Sequence, residues 1–217
     1  MTMDHSADTK QTGEATVECA TCENMVCRNG VDCTGRQDEI AALYNHPAVE
    51  QMARAAAEIE TRFYGEACRL EELIEFAKRM GYRRLGVAFC IGLSEEAKLL
   101  MKPLERQFDV STVCCKVCGL TDDSLRDLKE SKGMSRASCN PVGQAQTLND
   151  DQTDLNIIVG LCIGHDILFT QHSKAPVTTL IVKDRVLAHN PAGALYSRYL
   201  RRRLERRQMK RGEGTGE

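Results

Sequence analysis

The sequence predicts an α/β fold, with a mostly parallel sheet of about four or more strands flanked by helices and a small cysteine-rich segment near the N-terminus. Short apolar runs of strand length recur after residue 84, and stretches with apolar residues at three- and four-residue steps lie between them. Strands that alternate with helices are joined by crossover connections, which make neighbouring strands parallel. The predicted strands are residues 85–91, 110–115, 155–163 and 178–183.

Two amphipathic helices are predicted before the first strand, at residues 47–64 and 70–80. Pro47 suits the first turn of one helix, and Gly81 suits the C-terminal end of the other. Between and after the strands, the sequence predicts a helix capped by Ser94, a polar helix at 122–131, a long loop at 131–153 and a helix from Gly164 to about His172.

The composition is that of a globular protein and excludes several functional classes. Hydrophobic residues make up 42% of the chain and charged residues 28%, a balance without a disorder signature. No apolar run reaches the roughly 18 residues that a membrane span needs, and the polar first 16 residues lack the apolar region of a secretory signal. Aromatic residues are only 5%, too few for a surface that stacks nucleic-acid bases. We therefore expect a cytoplasmic protein without a nucleic-acid partner.

The net charge of −2 conceals a basic C-terminus. Residues 192–217 contain eight Lys or Arg and three Asp or Glu, a charge of +5, so the rest of the chain carries −7. Leu195, Tyr199 and Leu204 share one face at helical spacing and are expected to dock on the body. The basic residues beyond them are expected either to be solvated or to contact a protein partner that is acidic or that exchanges electrons with this chain.

Eleven cysteines are unusual in a chain that carries no secretory signal. A reducing cytosol keeps thiols free, so a disulfide framework explains these residues poorly. Metal binding or redox chemistry then remains for the clustered cysteines, whereas an isolated one such as Cys68 is expected to be structural.

The first cluster has the pattern Cys19-x2-Cys22-x4-Cys27-x5-Cys33. A CxxC pair lets two sulfurs reach one ion from a tight turn, and two further cysteines complete a tetrahedral set that suits zinc or an iron–sulfur cluster. The surrounding segment has almost no apolar content, so a bound metal would supply its folding energy. The spacing does not identify the metal.

A second cluster is predicted from the placement of cysteines at strand ends. The carboxyl ends of parallel strands meet at one edge of a sheet, where ligands bind. Sequence-distant cysteines would converge there and could hold an iron–sulfur cluster or a soft transition metal. The alternative is that these are ordinary buried cysteines. The candidates are Cys90, Cys114, Cys115 and Cys162 at the strand ends, together with Cys118 and Cys139 in the loops that follow the second strand.

Two histidines are expected on the same edge. His165 lies in a Gly-His-Asp sequence that opens a helix, and it is a candidate metal ligand or proton donor. His189 and Asn190 follow the fourth predicted strand. For each histidine a structural role is an equal alternative. No nucleotide-binding or common hydrolase motif occurs, so the sequence identifies no catalytic residue.

Four segments together resemble a microbial domain-of-unknown-function family. They are CATCENMVCRNG, CCKVCG, CNPVGQAQTLN and GLCIGHDILF with the following APVTTLIVKDRVLAHNP, and the resemblance covers roughly residues 17–196. Its members are cysteine-rich and usually described as metal-binding candidates, many of them from anaerobes. The resemblance implies that the cysteines are ligands, but it implies neither a reaction nor a particular metal.

The predicted organisation is a disordered tail at 1–16, a metal-binding segment at 17–36, an α/β domain at 37–200 and a basic tail at 201–217. Two functions remain open. The chain is either a binding protein that uses a zinc or iron–sulfur centre for electron transfer, metal handling or sensing, or a metal-dependent enzyme that acts on a small molecule at the sheet edge. A pocket at that edge would favour the enzyme.

Overall fold

The computed structural model describes residues 18–121 and 137–212. The chain divides into two compact units, Met1–Gln51 and Met52–Glu217. The predicted disordered tail at 1–16 and the predicted polar helix at 122–131 lie outside the described residues.

The second unit contains a four-stranded sheet in which every strand pairing is parallel. Its spatial order is β2-β1-β3-β4, so β1 and β3 are central and β2 and β4 are at the edges. The predicted α/β class with a parallel sheet is therefore confirmed. The strands are Arg84–Phe89 (β1), Asp109–Cys114 (β2), Leu155–Val159 (β3) and Val177–Ile181 (β4).

The central strands are apolar because both of their faces are covered. All five residues of β3 are buried, and four consecutive residues of β1 are buried as well. Continuous apolar runs are typical of parallel strands that lie between layers of helices. The core of the unit consists of these strands together with side chains from the helices, including Leu93, Leu104, Leu148 and Phe169.

Of the three helices before the sheet, the first was not predicted from the sequence, and the other two follow the predicted pattern closely. They are Gln37–Leu43 (α1), Pro47–Phe63 (α2) and Arg69–Arg79 (α3). At the start of α3, the Glu71 carboxylate accepts a hydrogen bond of 2.7 Å from the backbone N–H of Cys68. At its end, Gly81 has φ of 72°, the left-handed conformation expected of a glycine after a helix.

The helices after β1 include one that the sequence did not predict. They are Ser94–Glu105 (α4), Pro141–Asp150 (α5), His165–His172 (α6), Gly193–Tyr196 (α7) and Arg198–Gly212 (α8). Ser94 is the first residue of α4 and not its cap, which is Leu93.

The prediction of a long loop at 131–153 is wrong because α5 occupies most of its described part. Asn140 begins this helix: its side-chain oxygen accepts a hydrogen bond of 2.8 Å from the N–H of Gly143, and Pro141 takes the first turn. Gln144, Ala145 and Leu148 are fully buried, so tertiary packing stabilises a segment whose polar composition favours a loop.

The basic C-terminal segment is helical as far as the structure describes it, up to residue 212, but its predicted docking face is not buried. Leu195 and Tyr199 each retain 67% of their surface exposed, and Leu204 retains 45%. The expectation that these three residues dock on the body is therefore wrong. In the described part of the chain, no helix is long and apolar enough to cross a membrane.

Replacing Gly86 with Ala is expected to destabilise the sheet. Gly86 pairs with Asn156 in the neighbouring strand, and an added Cβ would lie 2.7 Å from Leu148 Cδ1 and closer still to Asn156 Oδ1. Asn156 cannot easily yield, because its side chain is fully buried and hydrogen-bonded to Thr153 and Ser173. Overpacking of this kind costs about 1–3 kcal/mol, measurable as a lower free energy of unfolding in urea.

Gly193→Ala is the matched control, because a Cβ there would meet nothing closer than 3.8 Å. Equal stability of the two variants would contradict the packing of Gly86 against Asn156.

Candidate functional site

Backbone hydrogen bonds fix several cysteines at the carboxyl edge of the sheet. The N–H of Cys90, directly after β1, donates to the Val159 carbonyl at 3.1 Å. The N–H of Cys115, directly after β2, donates to the Phe89 carbonyl at 2.9 Å. The N–H of Asn140 then donates to the Cys115 carbonyl at 2.8 Å, which brings the preceding Cys139 alongside. Three chain segments distant in sequence therefore meet at one edge.

Cys90, Cys115 and Cys139 form a group that we call the thiol cluster. The sulfurs of Cys115 and Cys139 lie 3.8 Å apart, within range of an S–H···S hydrogen bond. The Cys115 sulfur also accepts a hydrogen bond of 3.4 Å from the Ile91 N–H, and its side chain interacts with that of Cys90. Cys115 and Cys90 are 2% and 7% exposed, whereas Cys139 is half-buried and reaches solvent.

Two lysines and an arginine accompany the sulfurs at this edge. The Lys116 ammonium donates to the Ala137 carbonyl at 2.6 Å and lies 3.5 Å from the Cys139 sulfur. Lys183, two residues after β4, bonds to Cys90. Arg185 Nη2 lies 3.1 Å from the Cys162 sulfur. Each of these cysteines thus has its own cation, an arrangement that no motif in the sequence indicated.

Gly92 makes room for the pairing of Cys90 with Lys183. A Cβ at this position would lie 3.3 Å from Lys183 Nζ and 3.9 Å from the Cys90 sulfur. A larger residue would therefore contact both groups, and the glycine lets the ammonium and the sulfur approach each other.

The electrostatic environment shifts the pKa values of the two buried thiols, Cys115 and Cys90, in opposite directions. Burial raises the pKa of the Cys115 thiol to about 12; the Ile91 N–H opposes this rise, and Cys139 and Cys90 add to it. Burial also raises the pKa of Cys90, but the Gly92 N–H and the Lys183 ammonium outweigh it, so the pKa of Cys90 lies below its ordinary range. Cys115 therefore favours the protonated thiol, and Cys90 has the stronger tendency to ionise.

Arg185 interacts electrostatically both with Cys162 and with two members of the thiol cluster. The hydrogen bond to Cys162 raises the pKa of Arg185, and interactions with Cys90 and Cys139 contribute in the same direction. Cys162 lies three residues after β3 and is half-buried. Its carbonyl accepts the N–H of His165, the first residue of α6, at 2.9 Å. This hydrogen bond places the backbone of His165 beside Cys162.

The remaining predicted residues of this edge lie outside the thiol cluster. Cys114 is the last residue of β2 and half-buried, whereas Cys118 is exposed and has φ of 66°. Among the described residues, neither makes a hydrogen bond to a sulfur of the thiol cluster. The Nδ1 atom of His189 accepts the N–H of Asp184 at 3.1 Å, so this ring stabilises its own loop.

A buried side-chain amide holds the carboxyl ends of β1 and β2 together. Gln144 is fully buried, and its Nε2 donates to the carbonyls of Phe89 at 3.2 Å and Val113 at 2.9 Å. These carbonyls belong to the ends of β1 and β2. The Asn140 side chain similarly donates to the Val117 carbonyl at 3.3 Å. Helix α5 therefore holds the two strand ends that carry Cys90 and Cys115.

The four N-terminal cysteines belong to the first unit and are all exposed. Cys19 begins a short 3₁₀ turn in which its carbonyl accepts the Cys22 N–H at 3.3 Å, and Cys27 lies in a second turn, Val26–Asn29. Cys33 follows that turn, beside Asp32. The CxxC pair thus sits on the tight turn that its spacing predicts.

Among the described residues, neither group of cysteines has its sulfurs arranged around a single metal position. Within residues 18–121 and 137–212, no group of three or more His, Cys, Asp or Glu is arranged so that it could hold a metal ion. The predicted metal and cofactor ligands therefore remain predictions for both cysteine groups.

A cavity of about 530 Å³ lies away from the thiol cluster. It is lined by α2, α3 and the beginnings of two strands, including Leu155 of β3 and Thr178 of β4. Because parallel strands run in one direction, this cavity is at the amino end of the sheet and the cysteines are at the other. It contains none of the predicted site residues.

The Asp32 carboxylate is expected to titrate far below an ordinary Asp. It accepts hydrogen bonds from the N–H groups of Gln37, Thr34 and Gly35, and these bonds lower its pKa to about 2. An unfolded Asp titrates near 3.9, so the contribution of this turn to stability is present above about pH 4 and is lost as the pH falls through 2.

NMR titration of the full chain should show the Gln37 and Thr34 amide signals shifting with a midpoint near pH 2. Asp32→Asn should abolish that transition. A midpoint near 4 in the unmodified protein would contradict the described turn.

Comparison with known proteins places the chain among relatives that carry no stated activity. It is 51% identical over 191 residues to "Uncharacterized protein MJ0455" of Methanocaldococcus jannaschii, an alignment that covers 87% of this chain and 98% of the relative. No solved structure matches the chain. The family model described as "Protein of unknown function (DUF1847)" matches residues 28–180, which include β1, β2, β3, all of β4 except its last residue, the thiol cluster and Cys162. The chain belongs to the DUF1847 family.

Proposed function

We propose that this chain is a metal-binding protein that holds a zinc ion or an iron–sulfur cluster through cysteines at the carboxyl edge of its sheet. The centre would serve electron transfer, metal handling or sensing. The observation that carries the proposal is the distance of 3.8 Å between the Cys115 and Cys139 sulfurs, with Cys90 in contact.

The sulfur spacing suits two ligands of one ion. Metal–sulfur bonds of about 2.3 Å in a tetrahedral arrangement separate two sulfurs by about 3.8 Å. Cys115 and Cys139 already have this separation. For Cys90 and Cys162 to complete the set, their sulfurs would have to turn toward the same point by changes of side-chain rotamer.

The charges at the edge also suit thiolate ligands. A cysteine binds a metal as the thiolate, so four ligands bring four negative charges into a partly buried site. Lys116, Lys183 and Arg185 offset three of these charges. Backbone N–H groups of Ile91 and Gly92 point at sulfurs, and such hydrogen bonds adjust the reduction potential of iron–sulfur clusters.

The N-terminal segment is the candidate for a separate centre. Cys19, Cys22, Cys27 and Cys33 are exposed within 15 residues, on turns with no buried side chains of their own. A metal would supply the missing stabilisation. Most of the described side chains of the basic helix α8, at residues 198–206, are exposed, and their positive charge suits the acidic protein partner that an electron carrier or metal donor would meet.

The alternative function is a metal-dependent enzyme acting on a small molecule at the same edge. One observation favours it: Arg185 is exposed and Lys183 half-buried, so both present positive charge beside the sulfurs. An anionic substrate would be the class that this charge attracts.

Metal analysis of cysteine variants tests the proposal. The full chain, purified anaerobically, is expected to contain iron with sulfide, or zinc, and iron would give a visible absorption band. Cys115→Ser and Cys139→Ser should each remove the sheet-edge centre, since serine oxygen is a poor ligand for a soft metal. Cys22→Ser should remove only metal held by the N-terminal segment.

Cys68→Ser is the matched control, because Cys68 caps α3 and serine also caps helices well. The proposal fails if the unmodified protein holds no metal after purification and reconstitution. It also fails if the Cys115→Ser, Cys139→Ser double variant retains the full metal content.

A further inference from the structure

We propose that the metal-free protein exchanges thiols with small-molecule disulfides through Cys139 and Cys115, with Cys139 as the attacking residue and Cys115 as the resolving residue. This activity goes beyond metal binding and does not require it. The two uses exclude each other at any moment, since a sulfur in a disulfide is no longer a thiolate ligand.

Burial distinguishes the two sulfurs in a way that fits an ordered reaction. Cys139 is half-buried and reachable from solvent, whereas Cys115 is 2% exposed and lies 3.8 Å behind it. A dissolved disulfide can therefore meet Cys139 but not Cys115. Once Cys139 carries the adduct, the nearest attacking sulfur is Cys115.

The Lys116 ammonium lies where the attacking sulfur needs a positive charge. It is 3.5 Å from the Cys139 sulfur and is held there by its bond of 2.6 Å to the Ala137 carbonyl. A fixed cation beside a thiolate stabilises the nucleophilic form. Cys139 also directly precedes Asn140, which caps α5 and so fixes the backbone that carries the sulfur.

The reaction balances without a further reactant. The Cys139 thiolate attacks one sulfur of R–S–S–R, a bond forms between Cys139 and that sulfur, the original S–S bond breaks, and RS⁻ leaves to take a proton from water. The Cys115 sulfur then attacks the Cys139 sulfur, the bond between Cys139 and the adduct breaks, and the Cys115 proton passes to the departing sulfur, which leaves as the second RSH. Two electrons pass from the two protein thiols to the small disulfide, and the products are one protein disulfide and two RSH.

The final bond needs a modest movement of the side chains. A disulfide has sulfurs about 2.05 Å apart, and the present separation is 3.8 Å. The backbone segments are already joined by the hydrogen bond from the Asn140 N–H to the Cys115 carbonyl. Rotation of the Cys139 side chain can therefore close the gap without separating the strands.

The test uses the full chain, treated anaerobically with a chelator and then with glutathione disulfide as the probe. Tryptic cleavage assigns the products, because Cys115 lies in peptide 107–116, Cys139 in peptide 137–174 and Cys118 in peptide 117–126. The N-terminal cysteines fall in peptides 11–28 and 29–36, so their own adducts do not interfere. The expected product is a disulfide between peptides 107–116 and 137–174, with two glutathione molecules released per bond.

Single substitutions distinguish the attacking role of Cys139 from the resolving role of Cys115. Cys115→Ser should stop the reaction at a glutathione adduct on Cys139, and Cys139→Ser should give neither the adduct nor the cross-link. Cys139→Ala repeats the second test with a different side chain, and circular dichroism confirms that each variant is folded. Cys162→Ser and Cys114→Ser are controls that share the two peptides and should retain the cross-link.

Failure of this inference is distinguishable from failure of metal binding, because metal is measured before chelation. A protein that never holds metal but forms the Cys115–Cys139 bond would refute the proposed function alone. A metal-loaded protein whose Cys115→Ser variant accumulates no adduct on Cys139 would refute the exchange reaction alone. Loss of the cross-link in Cys162→Ser or Cys114→Ser would also overturn the assignment of the two roles.

Discussion

The parallel hydrogen bonding of β1 with both of its neighbours is the constraint on which the rest of the structure depends. Because β2 and β3 run in the same direction as β1, all three strands end at one edge of the sheet. The chain continues these bonds one residue beyond the strands, where Cys90 and Cys115 donate to Val159 and Phe89. Cysteines separated by more than twenty residues are thus held side by side by backbone geometry, before any side chain contributes.

A group of buried sulfurs beside fixed cations has an energetic cost that the surrounding polar groups reduce. A buried thiolate without a partner is strongly disfavoured. Here the Ile91 N–H, the Gly92 N–H and the Lys183 ammonium each point at a sulfur. The buried Gln144 amide ties together the ends of β1 and β2, next to Cys90 and Cys115. Backbone N–H groups, a lysine and a helix amide thus all contribute to holding sulfur at this edge.

Much of the fold was predictable from the sequence, because its signals are strong and local. The apolar runs at β1 and β3, the stripes of α2 and α3, and Gly81 after α3 correspond to elements of the structure. Helix α5 was missed because its residues are polar and its stability comes from burial of Gln144 and Leu148, which no local pattern reveals. The exposure of Leu195 and Tyr199 shows the opposite error, since helical spacing alone does not create a surface to pack against.

The meeting of Cys90 and Cys115 followed from topology, since strand ends in a parallel sheet converge. Cys139 joins them because the N–H of Asn140, the next residue, bonds to the Cys115 carbonyl. The lysines and the arginine could not be foreseen, because which side chain faces a sulfur depends on rotamers and loop paths. Lys116 is next to Cys115 in sequence yet pairs with Cys139. Cys114 and Cys118, equally close in the sequence, make no hydrogen bond to a sulfur of the thiol cluster among the described residues.

The position of β4 at the outside of the sheet affects how much positive charge faces the sulfurs at the carboxyl edge. It is an outer strand with a pairing neighbour on one side, and the residues that follow it, Lys183 and Arg185, provide two of the cations. The thiol cluster, by contrast, is carried by β1, β2 and the start of α5. A displacement of β4 would withdraw these two positive charges, while Lys116 would stay with the strand that carries Cys115. Two of the three cations can thus move without the elements that carry the sulfurs of the thiol cluster.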